Sequence, residues 1–236
     1  MRNIGIILKR ELTAYFTSPA AYVIIAVFLL VMGFLFAFAV YFNRQASLRP
    51  MFLNANIILL LVAPILTMRL LAEEQRTGTI ELMLTAPLRE VELVLGKFFA
   101  SIVFLIAMLV LTLWYALVLR ALGNPDPGPM LTGYVGILLF GAGFMAVGLF
   151  ASSLSQNQIV AAFISFGILL MFYIIDSAGA FLGGSPQAVL SYVSMTPHLD
   201  DFTKGVIDTK DVVYYLSLIV VCLFLTTTVL QVRRWR

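Results

Sequence analysis

Few residues in this sequence could do chemistry, and their spacing limits what that chemistry could be. Gly96–Lys97 reads like the close of a phosphate-binding loop, in which backbone amides cradle a nucleotide and the lysine reaches its phosphates. That loop needs a glycine five positions before the Gly–Lys pair and Ser or Thr after the lysine. Val91 and Phe98 stand there instead, and the stretch before them is helical in pattern, so the pair is a decoy. His198 is the only histidine and Cys222 the only cysteine. A nucleophile–base pair therefore has almost no material, His198 lacks neighbouring metal ligands, and no intramolecular disulfide can form. Asp176 and Arg120 fall at the ends of apolar runs, near one interface, whereas ion-coupled carriers set carboxylates near the midplane. The chain is expected to be non-enzymatic, with no cofactor or metal of its own. If ATP drives it, another chain must bind the nucleotide.

The densest charge lies in RLLAEEQRTGTIELMLTAPLREVELVLGKF, Arg69 to Phe98. It holds Glu73, Glu74, Glu81, Glu90 and Glu92, five of the twelve acidic residues. Thr77–Gly78–Thr79 offers a helix start, with Gly78 as N-cap and Glu81 at N3, where a carboxylate suits the exposed amides. Pro87 ends the element, leaving a helix of about two turns over residues 79–86. Ile80, Met83 and Leu84 share a face at i, i+3 and i+4, with Leu82 to one side. Alone, so short a helix would be unstable. Two readings stay open: its apolar face fills a groove on a partner protein, or it lies back on the membrane surface.

The elements that must position this island are membrane helices. The chain is 61% hydrophobic and 11% charged, with a mean hydropathy of +1.02, whereas soluble domains are about 45–50% apolar. Runs of about 20 apolar residues, enough to cross a bilayer, cover residues 20–42, 52–72, 91–122, 131–154, 159–176 and 212–232. The fold is expected to be one all-α integral membrane domain over residues 1–236, with six transmembrane helices. An amphipathic interfacial helix over residues 2–17 precedes them, too long in its apolar continuation to be a secretory signal. Its Ile4, Ile7, Leu8, Leu12, Tyr15 and Phe16 share one face, and Arg2, Lys9, Arg10 and Thr13 the other, the pattern of a helix lying on lipid headgroups. Glu11 breaks the pattern by falling in the apolar arc. Either it snorkels from a boundary position, or it pairs with an arginine of the charged island.

Six spans put both termini on one side. With the termini inside, the inner cations are Arg2, Lys9, Arg10, Arg69, Arg76, Arg89, Lys97, Arg233, Arg234 and Arg236, ten of fifteen, the bias of cytoplasmic termini. In the fourth span Gly133, Gly136, Gly141, Gly143 and Gly148, with small pairs such as Gly148/Ser152, allow close helix approach, either within one subunit or between subunits. Pro64 frees a backbone carbonyl within the second span and can kink it. Residues 177–211 are too long and patterned for a simple loop. AFLGGSPQAVLSYV is apolar enough to dip into the outer leaflet as a re-entrant or helical segment, and Phe202–Asp211 could lead a helix into the last span. That segment is the expected outer gate, with Asp176, Phe181, Asp200, Asp201 and Asp208 as candidates.

AEEQRTGTIELMLTAPLREVELVLGK resembles the first cytoplasmic loop of type-two ABC exporter permeases: an acidic helix end, Gly-Thr-x-Glu-Leu, a proline, then Leu-Gly-Lys as the next span begins. KRELTAYFTSPAAYV is similar to that family's elbow helix and first-span entry. SSLSQNQIVAAF and HLDDFTKGVIDTKDVVYYLS resemble the subgroup that includes the gliding-motility-associated permease. The resemblance implies a transmembrane subunit in a bacterial cytoplasmic membrane. Two ABC ATPase subunits would bind ATP and Mg, and a second copy or a related permease would complete the pore. It further implies a membrane-anchored extracytoplasmic subunit, lipid as surroundings, and no nucleic acid. The island becomes the coupling helix that docks into the ATPase, carried by Thr77, Gly78, Thr79, Ile80, Glu81, Leu82, Met83, Leu84 and Pro87, with Glu11, Glu73, Glu74, Arg76 and Arg89 as a charged rim. Two alternatives remain: an ATP-driven mechanical or assembly component that moves no substrate, and a self-contained channel or carrier, which leaves the island unexplained.

Overall fold

A computed structural model of the protein describes residues 2–43, 47–80, 88–182 and 184–234. Ten helices run through the described residues, without a strand among them: α1 Arg2–Thr17, α2 Pro19–Asn43, α3 Arg49–Thr67, α4 Arg69–Arg76, α5 Glu90–Leu122, α6 Pro127–Leu154, α7 Gln158–Leu182, α8 Gly184–Val193, α9 Met195–Thr203 and α10 Thr209–Arg234. Six are long and apolar enough to cross a membrane, counting α3 and α4 as one span. The chain is a multi-pass membrane protein.

The centre is α6. Its most apolar stretch is 78% buried, against 17% for α2 and for α7, and it packs on α3, α4, α5, α7, α9 and α10. Glycine makes this possible. A Cβ at Gly133 would clash with Phe52, at Gly136 with Phe202, at Gly141 with Leu105, and at Gly143 with Met195. The small residues of the fourth span are thus occupied within this chain. A helix with that many neighbours must be thin.

The second span, expected over residues 52–72 with Pro64 able to kink it, is interrupted beyond that proline. It breaks at Met68, four residues after Pro64, and Met68 N donates to Pro64 O at 2.9 Å. The break strands backbone groups that water cannot reach in a bilayer. Ser152 of α6 meets them: its Oγ accepts from Leu71 N (3.0 Å) and Ala72 N (3.1 Å) and donates to Met68 O (2.9 Å). One turn earlier, Gly148 leaves room for Thr67, which a Cβ would strike. Ser152→Ala should therefore lower stability by about 1–3 kcal/mol, the cost of leaving buried polar groups unpaired. Ser153→Ala is the control, since among the described residues the Ser153 hydroxyl serves only Phe150 O in its own helix and should matter much less. Thermal unfolding in detergent compares the two; equal shifts would remove Ser152 from this role.

Three other boundaries move. The fifth span continues to Leu182, so Asp176 lies inside a helix and does not close it. The fourth begins at Pro127, where Asp126 Oδ1 accepts from Gly128 N at 2.9 Å as an N-cap. The helix expected to lead in over Phe202–Asp211 does not form. α9 stops at Thr203, Gly205 turns the chain at φ +97, and Asp208 then accepts from Lys210 N at 3.0 Å to start α10. Only glycine adopts that φ without strain.

Candidate functional site

Helix α1, the end of α10 at Arg233 and the described part of the charged island meet at one face of the bundle. There α1 packs along α5, and Gly96 sets the distance, because a Cβ on it would overlap Ile7. The Tyr15 ring lies tilted against Phe104 at 5.1 Å between ring centroids, so part of the apolar arc of α1 is covered by α5. The approach carries Glu11 to Lys97. Lys97 is 1% exposed and its Nζ lies 2.9 Å from Glu11 Oε1 and 2.8 Å from Glu74 Oε1. Arg10 Nη2 reaches the same two carboxylates, at 2.6 Å from Glu11. Two cations and two anions thus alternate across α1, α4 and α5.

Burial works against the Glu11 carboxylate, but the Lys97 charge and the hydrogen bonds from Arg10 and Lys97 outweigh it and hold its pKa below the ordinary glutamate value. Glu11 is ionised within this quartet. Besides Arg10 of its own helix, its partner is a lysine of the island and not one of the island's arginines. The arginines are placed otherwise: Arg69 lies over the Tyr15 ring at 5.4 Å, and Arg76 is exposed. Tyr15 donates its hydroxyl to Leu66 O at 2.8 Å, beside the break in the second span, and burial pushes the phenol's pKa upward. A cavity of about 390 Å³ opens beside the quartet, lined among others by Arg10, Glu11, Arg69, Glu73, Thr77 and Thr79.

From this base the island projects. Glu73, Arg76, Thr77, Gly78 and Thr79 are exposed, as is Arg89 at the far side of the loop. Gly78 sits at φ +71 and its N–H reaches Gln75 O. It turns the chain out of α4 in the left-handed conformation of a C-terminal cap, and it directly precedes Thr79, where the next helix was expected to start. Thr79 and Ile80 are helical. Ile80 is 7% exposed and belongs to the chain's own apolar core, so it does not present itself to a partner. Glu81, Leu82, Met83, Leu84 and Pro87 lie outside the described residues. α5 then starts with Glu92 Oε2 accepting from Arg89 N (3.3 Å) and from Asn3 Nδ2 of α1 (3.0 Å). The C-terminal end is tied to the same face: Arg233 Nη1 donates to Gln75 Oε1 at 2.7 Å, and Gln75 Nε2 to Ser153 O at 3.1 Å.

At the opposite face Asp200, Asp201 and Asp208 do come together. Asp200 pairs with Arg49 at 2.9 Å and Lys204 at 2.6 Å, Asp201 with Lys204 and Lys210, and Asp208 with Lys210 at 3.1 Å. Desolvation raises the Asp200 pKa, but its hydrogen bonds from Lys204 and Arg49 prevail and lower it. Asp176 is half-buried in α7 and does not join this network among the described residues. The side chain of Phe181 lies outside them. Sequence reasoning missed two buried polar centres. Lys97 was set aside with the phosphate-loop decoy. His198, 5% exposed, faces Asp211, 0% exposed, at 2.6 Å. The misplaced Glu11 was the one signal for the first, and nothing in the sequence linked the second pair.

Residues 6–233 match the family described as ABC-2 family transporter protein. A search of curated proteins finds no match.

Proposed function

This chain belongs to the ABC-2 transporter family, whose permeases work with ABC ATPase partners, and from that premise we propose that it is the permease subunit of an ATP-driven exporter. Two copies of a separate ATPase chain bind and hydrolyse ATP with Mg. The permease is completed by a second copy or a related chain, and substrate moves toward the outer face. The observation that carries the reading is the quartet of Arg10, Glu11, Glu74 and Lys97. It joins α1, α4 and α5 at the root of the island, so that a push on residues 77–89 is delivered to two spans together. Ten of fifteen Lys and Arg on the side of the termini support a cytoplasmic placement of that face, in a bacterial cytoplasmic membrane. A membrane-anchored subunit of the gliding-motility-associated kind would meet the opposite face at α8 and α9. Nucleotide then biases two arrangements of the spans.

A second reading is favoured by α6, whose Gly133, Gly136, Gly141, Gly143 and Gly148 are packed against side chains of neighbouring helices. In that reading ATP drives a pull on an outer protein partner and no substrate crosses.

Energy supply tests both readings. The purified chain should show no ATP hydrolysis, and activity should appear only on adding a soluble ABC ATPase subunit in reconstituted vesicles. Hydrolysis by a clean preparation of this chain alone would sink them. ATP-dependent loss of a lipid or hydrophobic peptide from those vesicles separates transport from pulling.

A further inference from the structure

His198 stands where α8, α9 and α10 meet, and its two ring nitrogens face groups that can only accept. Nδ1 lies 2.6 Å from Asp211 Oδ1, and Nε2 lies 2.9 Å from the backbone oxygen of Tyr192. A carbonyl oxygen has no proton to give, so Nε2 must carry one to make that contact. A carboxylate likewise accepts only. A neutral imidazole has one proton and cannot serve both. The surroundings favour placing the second proton on the ring rather than on Asp211. Tyr192 O lies in the last turn of α8, where carbonyls lack helical partners and the helix dipole attracts a cation. Asp211 lies in the first turn of α10, where the dipole favours an anion. The Tyr214 ring stacks on the imidazole at 4.1 Å and 18°, a face that holds a cation well.

We propose that His198 and Asp211 form a buried proton-binding site, in which the imidazole is doubly protonated at neutral pH and its second proton fastens α8 to α9 and α10. When that proton leaves, the ring keeps one donor. Asp211 Oδ2 is buried without a hydrogen-bond partner among the described residues, so the carboxylate retains the donor and Nε2 is left facing the Tyr192 oxygen with a lone pair. The contact to α8 is the one that breaks. The other ionisable groups around the ring are the phenols of Tyr192, Tyr214 and Tyr215. Along α9 and into α10, Asp200, Asp201, Lys204, Asp208 and Lys210 are paired among themselves and with Arg49 of α3. α3 offers Asn56 to Thr196, α6 offers Thr132 to Phe202 O, and α7 offers Phe172 O to Ser194, all neutral; the α7 carboxylate is Asp176. The proposal does not depend on the ATPase reading.

The chain has one histidine, so labelling histidine with ¹⁵N in the full protein, carried on a histidine-free tag, gives a single side-chain signal. At pH 7 both ring nitrogens should show the imidazolium pattern; either neutral tautomer there overturns the proposal. Raising the pH until that pattern disappears should lower the exchange protection of amides 187–193, corrected for intrinsic rates, by about tenfold or more, the worth of one charge-assisted hydrogen bond. Unchanged protection through that transition also overturns it. His198→Asn keeps a donor toward Asp211 and loses the one toward Tyr192, so amides 187–193 should be poorly protected at every pH. Should that variant misfold, the wild-type titration decides alone.

Discussion

Lys97→Met should destabilise the protein by about 3 kcal/mol, at the lower end of what removing one partner of a buried ion pair costs. Methionine fills much the same volume, so the loss is electrostatic and not a cavity. Glu11 and Glu74, whose side chains are 12% and 13% exposed, would face each other without the ammonium that sits between them. Arg10 remains beside both, which is why the lower end is expected, but its side chain is 49% exposed and partly screened. Adding Glu11→Gln and Glu74→Gln to Lys97→Met removes the stranded charges, and most of the stability should return, because a whole buried ionic group often contributes little net stability. Lys204→Met, on exposed pairs at the opposite face, should leave unfolding almost unchanged. Unfolding midpoints in detergent, converted with a common unfolding enthalpy, read all three. A Lys97→Met shift no larger than that of Lys204→Met would mean that Lys97 is not the ionic centre of this face.

The spans were legible because their signal is local: each is an uninterrupted apolar run, and a run needs no partner to be recognised. What escaped depended on a second element. Pro64 announced a weakness in the second span, yet the break falls at Met68, where Ser152 of α6 can serve the freed amides. Periodicity alone cannot supply that partner. Glu11 showed as an error on the helical wheel, but the cation from the island that resolves it comes from 86 residues away, and the expectation was an arginine. Gly96–Lys97 had a meaning the motif search could not give: a glycine thin enough for Ile7 to pass and a lysine carried by that approach into a site shared with α1. Gly78 marked a turn correctly, while its φ +71 assigns the turn to the end of α4. His198 and Asp211 lie 13 residues apart with a helix end, a glycine turn and a helix start between them, and only the turn brings them into contact.

Met83→Asp should cost the complex its ATPase while leaving the permease inserted and folded. Of the face shared by Ile80, Met83 and Leu84, the last two are left to meet a partner once Ile80 is taken into the chain's own core, at 7% exposed. An aspartate delivered into a protein cleft is a buried charge without a counter-ion, and even roughly 3 kcal/mol of penalty weakens association more than a hundredfold. Two further variants give the result its meaning. Arg89→Asp alters an exposed rim position, where ion pairs contribute about 0–1 kcal/mol, so most of the ATPase should stay bound. Ile80→Asp places its charge inside the permease, and should therefore reduce the yield of folded, inserted chain before docking is even at issue. The measurement is ATPase co-purification with each variant, normalised to permease recovered from the membrane as a single size-exclusion peak. Retention of the ATPase by Met83→Asp at the wild-type level would show that this loop lies against the bilayer surface, and that the partner must be engaged from the remainder of the face, at Glu73, Arg76 and the cavity beside Lys97.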